Sequence, residues 1–89
     1  MAHSLARLLA VHDVLKDEMG PAITHLTETL RECDTNISSL RREWPVAGLS
    51  VRVTRKQAMV FVRDPEDTGV MEELHLSGFS FCRADRAMV

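Results

Sequence analysis

The residues of this chain that could do chemistry are scattered rather than gathered. His3, His12, His25, His75, Cys33 and Cys82 are its softest metal ligands, and none fall at C-x-x-C or H-E-x-x-H spacing. Metal sites favour such short repeats because one turn must aim two donors at one ion. No metal and no other cofactor is therefore expected. His12 and Cys33 sit in apolar patterns and are expected as satisfied core residues. Nucleophilic catalysis needs a Ser or Cys beside a base that a third group orients. The chain contains no G-x-S-x-G elbow, no P-loop and no G-x-G-x-x-G. Glu72 and Glu73 are adjacent acids, but neighbours on a helix do not face one another. A site shared between subunits around His75 and Glu72 is the one enzymatic arrangement left, and the expectation is a protein without catalytic activity.

Charge is more informative than nucleophiles. Arg41 and Arg42 stand together, and Arg52, Arg55, Lys56, Arg63 and Arg83 gather in the second half of the chain. A polar strand face bearing Arg52, beside a turn made by Arg55 and Lys56, could contact phosphates. Against this stands the run from Asp64 to Glu73, where Asp64, Glu66, Asp67, Glu72 and Glu73 are accompanied by no base. Eleven basic and thirteen acidic residues leave a net charge of −2, so the molecule as a whole has no pull toward nucleic acid or an anionic membrane. Two oppositely charged runs on one small surface suit protein recognition or self-complementary pairing. The aromatic residues Trp44, Phe61, Phe79 and Phe81 lie in apolar patterns, which points to core packing rather than a platform for stacked bases.

These residues must be positioned by a small scaffold. Eighty-nine residues, 45% hydrophobic and 27% charged, make one globular domain. A chain of this length buries only about 60–65% of its unfolded surface, too little for a large enclosed site beside a core. Its longest apolar run, Ala58 to Val62, is far short of the ~20 residues that span a bilayer, so no membrane partner is expected. The N-terminus lacks the basic region, apolar stretch and small-residue cleavage site of a secretory signal. It is amphipathic and carries Arg7 with no acid before Asp13, so a mitochondrial presequence is the weaker alternative. Two cysteines distant in sequence do not make a disulfide framework; they read as reduced thiols of a cytoplasmic protein.

The elements follow from periodicity. Residues 3–19 read as a helix capped by Ser4, with Leu5, Leu8, His12, Leu15 and Met19 on one face and Leu9 and Val11 widening it. Gly20-Pro21 reads as a stop and restart, so the next helix is expected to fold back antiparallel, with a single kinked helix as the alternative. That second helix is expected over 21–44, because Ile23, Leu26, Leu30, Cys33, Ile37, Leu40 and Trp44 step by three and four in a heptad pattern. Residues 34–39 are poor helix formers, and propensity there argues against the pattern. Such a helix would be about 35 Å long against about 25 Å for the first, leaving Ile37, Leu40 and Trp44 for self-association. Pro45 ends it. Leu49, Val51 and Val53 alternate with polar residues as a half-buried strand, and Ala58–Val62 reads as a central strand apolar on both faces. Residues 66–77 read as a helix in preference to a hairpin, with Gly78 as its left-handed terminator and Phe79 packing back on Leu74. Residues 79–83 are a strand and 85–89 a tail.

The expected fold is α+β, in the order α-α-β-β-(α)-β: a helical hairpin over 1–44 packed on a small, mainly antiparallel sheet over 49–84, all in one domain. The expected function is a small non-catalytic interaction protein, a homodimeric regulator, inhibitor or assembly subunit that binds another protein. Its self-association residues are Ile37, Leu40 and Trp44. Its partner contacts are Arg52, Arg55 and Lys56, or Asp64, Glu66, Asp67, Glu72 and Glu73. The alternative is a nucleic-acid-binding accessory protein using the Arg52, Arg55 and Lys56 face.

Overall fold

The computed structural model describes residues 3–63, 68–79 and 81–83. Helix α1 (His3–Asp13) runs through a π turn (Val14–Glu18) into helix α2 (Met19–Glu32). The expected antiparallel hairpin is therefore replaced by one helical rod with a π turn inside it. Proline in a helix has no N–H to give and clashes with the carbonyl four residues earlier. Here Pro21 falls in the first turn of α2, directly after the wider π turn, where the displaced hydrogen-bond register removes both conflicts. Gly20 stays helical and terminates nothing.

The second correction concerns residues 33–44. Helix α2 stops at Glu32, and Cys33 turns extended at φ −80° and ψ 161°. The Asp34 carboxylate accepts the backbone N–H of Asn36 at 2.9 Å, the local bond by which aspartate competes with helix. Propensity thus prevails over the heptad pattern. Beyond it, Ser39–Glu43 forms strand β1, and Leu40 lies opposite Val53 of strand β2 (Ser50–Thr54). Pro45 ends a strand instead of a helix. Val46–Gly48 is a tight 3₁₀ turn within the β1–β2 connection.

Strand β3 (Ala58–Val62) pairs antiparallel with β2, as expected, across the Arg55-Lys56 turn. Thr54 closes that turn: its Oγ1 accepts the N–H groups of Lys56 and Gln57. Helix α3 (Thr68–Ser77) follows, and strand β4 (Phe81–Arg83) returns parallel to β3, giving the sheet order β1-β2-β3-β4. The helix reading of the acidic segment holds for the described part, and Gly78 is left-handed at φ 83°. Asp64, Glu66, Asp67 and the tail from 84 lie outside the described residues.

All three helices pack against the same sheet face. Leu49, Val51, Val53, Val60 and Val62 form one wall of the core, and Val11, Val14, Leu15, Met19, Ala22 and Leu30 of the rod form the other with Val70 and Leu74 of α3. Register puts Arg41, Arg52, Met59 and Phe61 on the opposite, outer face. Phe61 is buried there, with the Arg52 guanidinium 5.9 Å from its ring centre. The result is an α+β domain in which no described helix is long and apolar enough to cross a membrane.

Candidate functional site

The expected self-association residues do not share a surface. Trp44 is only 7% exposed and belongs to the chain's own core, Leu40 packs half-buried against that core, and Ile37 alone is exposed. Trp44 is held from the helical rod: its Nε1–H donates to the Glu18 carboxylate at 3.0 Å. The Arg42 guanidinium lies 4.6 Å above its ring and reaches the same carboxylate at 3.3 Å. Glu18 is the last residue of the π turn, so that turn delivers its carboxylate to the indole.

Exposed apolar surface lies elsewhere. Leu5 and Leu9 of α1 are 68% and 56% exposed, and Leu76 of α3 is 82% exposed. Only part of the wide apolar stripe of residues 5–19 faces the core, and its outer edge faces solvent. His12 is on that edge instead of in the core, and its Nδ1 meets the Glu73 carboxylate at 2.6 Å, joining α1 to α3. Around this pair, His12, Leu15, Lys16, Glu73, Leu76 and Ser77 line an open cleft of about 320 Å³. The helical face therefore carries leucines, a basic row on the rod (His12 of α1 and Lys16 of the π turn) and an acidic row on α3 (Glu72, Glu73). His75 and Glu72 are both exposed, and neither lines a described cleft.

The expected basic face is brought together at the other end of the molecule. Arg52, Arg55 and Lys56 line an open cleft of about 420 Å³ on the outer side of the sheet. Its remaining walls are the hydroxyl-bearing residues Thr35, Ser38, Ser39 and Thr54, and no carboxylate among the described residues lines it. Arg55 has a structural duty as well: its Nη2 donates to the carbonyls of Asp34 (3.1 Å) and Ile37 (2.9 Å), strapping the 33–38 loop to the turn. Its position is thereby fixed from within the chain. Arg31 stands on the far side of Arg55, in a smaller adjoining cleft.

Arg41 is paired with Glu43 and Arg42 with Glu18, so these two serve the fold and not the cleft. Leu30, beside Arg31, follows His12 by eighteen residues along the rod, about 27 Å at helical rise. The acidic row of α3 therefore stands roughly three Debye lengths from the basic cleft at physiological salt. The hydroxyl wall was not foreseen; a Thr-Asn-Ile-Ser-Ser stretch inside an assumed helix concealed it. Among the described residues, no group of three His, Cys, Asp or Glu side chains could hold a metal ion, and Cys33 is a free, half-buried thiol. Comparison with protein-family models, with curated proteins and with solved structures finds no match to this chain.

Proposed function

We propose that this protein is a small non-catalytic binding module that pairs with a second copy of itself through the α1–α3 face and presents its basic cleft to a protein partner. The observation that supports pairing is the exposure of Leu5, Leu9 and Leu76 around the His12–Glu73 contact. Apolar residues exposed together and rimmed by charge are the usual composition of an interface. The charges favour a second copy as occupant. A two-fold axis through the face sets the basic row of one copy's rod, His12 and Lys16, against the α3 row of the other, Glu72 and Glu73. Such an isologous patch closes on itself and stops at the dimer.

Partner binding rests on the basic cleft. Three cations with no acid among the described lining residues give a local field that the net charge of −2 does not reveal. A nucleic-acid role for the same cleft is less favoured, because among the described residues Phe61 and Trp44 are buried and no aromatic lines the cleft. The test is affinity capture from a lysate with and without nuclease, using the wild type and Lys56→Glu. A protein band that survives nuclease and is lost with Lys56→Glu supports the reading. A complex that nuclease dissolves overturns it in favour of a nucleic-acid accessory role.

A further inference from the structure

The geometry points to a phosphorylated side chain of a partner protein as the ligand of the cleft formed by Arg55, Lys56, Ser38, Ser39 and Thr54, an inference that rests on the protein-binding reading above. A phosphoryl group offers three acceptor oxygens and close to two negative charges at neutral pH, and it is recognised by charge-assisted donors grouped in a concavity. The cleft supplies that chemistry. Lys56 brings an ammonium, Arg55 a guanidinium, and the Ser38 and Ser39 hydroxyls can each donate to an anionic oxygen, while the Thr54 hydroxyl is spent on the Gln57 carbonyl and holds the turn.

Two features make the site more than a basic patch. Arg55 is held by two carbonyls through Nη2 alone, so among the described residues its Nε and Nη1 donors carry no other bond, and the group is placed before any ligand arrives. Preorganisation of this kind lowers the ordering cost of binding. Secondly, the Thr54 hydroxyl already anchors the turn that carries Lys56, so the two cations and the loop hydroxyls are tied to one another. Arg52 lines the same cleft while keeping its own contacts, the Phe61 ring among them; the inference does not require it.

A monoester is favoured over a nucleic-acid strand. The cleft is local, of about 420 Å³, and the described outer face offers no exposed aromatic on which successive bases could stack. Proteins that bind single strands without sequence preference combine such stacking with a long basic track.

The experiment is an amide chemical-shift titration of the isotope-labelled full chain at constant ionic strength. The probes are sodium phosphate, a short alanine peptide carrying one phosphoserine, the same peptide unphosphorylated, and a single-stranded oligonucleotide of about twelve nucleotides. The expected result is saturable shifts confined to residues 35–39 and 52–56 with phosphate. The phosphopeptide is expected to bind at least about tenfold more tightly than its unphosphorylated form. Lys56→Glu and Ser38→Asp, both at exposed positions, should abolish the shifts while leaving the remaining amides in place. Shifts that rise linearly without saturation, equal binding of the two peptides, or tighter binding of the oligonucleotide than of the phosphopeptide would each overturn the assignment. Its failure is distinct from failure of the protein-binding reading: equal binding of the two peptides removes the phosphate assignment alone, whereas the loss of a nuclease-resistant, Lys56-dependent protein band removes partner binding itself.

Discussion

Glu18 shows how one side chain ties three elements together. Its carboxylate receives the Trp44 indole and the Arg42 guanidinium, joining the helical rod to the end of β1. Glu18→Ala leaves the indole N–H without its acceptor in a part-buried site, which costs about 1–3 kcal/mol. Glu18→Gln keeps an acceptor and should cost less. Denaturant unfolding followed by the fluorescence of Trp44, the one tryptophan in the chain, measures both. Gly48 is a second such position. Its φ is +61°, and a Cβ there would stand 2.3 Å from the Cβ of Arg63. Gly48→Ala should lower stability by more than about 1 kcal/mol, since strain and collision add; equal stability in the same denaturant series would contradict that account. At this scale the sequence was only partly legible. It placed Arg52, Arg55 and Lys56 near one another, because a strand and a turn are local. It misjudged Trp44 and His12, because the partner that buries the first and the solvent that reaches the second are set by tertiary packing.

The elements tell where local and global signals disagree. Strand β2 was legible from alternation, β3 from its continuous apolar run, and helix α3 from its terminator Gly78. The seam from Ile23 to Trp44 was not legible, because a 3-4 spacing over residues 37–44 also occurs by chance in a loop followed by a strand. The Asp34–Asn36 bond decides the matter at one residue, where the hydrophobic pattern is blind. This yields a contrast that separates the two architectures. Leu30, buried at the end of α2, should lose about 2–5 kcal/mol on truncation to alanine. Ile37→Ser, at an exposed loop position, should change stability by no more than about 0.5 kcal/mol. A continuous helix would make the two losses similar. The parallel return of β4 was also missed, since a three-residue strand (Phe81–Arg83) has too short a pattern to state its direction.

Across the whole molecule, charge and apolar surface are divided between two ends. The helical end carries exposed leucines with matched acid and base, and the cleft at the sheet end carries cations and hydroxyls with no carboxylate among its described lining residues. That division turns a net charge of −2 into two surfaces with different chemistry, which composition alone averages away. A dimer built on the helical face would leave two basic clefts open. The central claim, that the α1–α3 face pairs copies of this chain, is tested most directly by light scattering on a size-exclusion column over a range of concentrations. The account predicts a mass of about 20 kDa, twice the 10.0 kDa of one chain. It also predicts a fall to 10.0 kDa for Leu9→Glu with Leu76→Glu, with the helix content unchanged by circular dichroism. A wild-type mass of 10.0 kDa at every concentration, or a dimer untouched by the two substitutions, would contradict it.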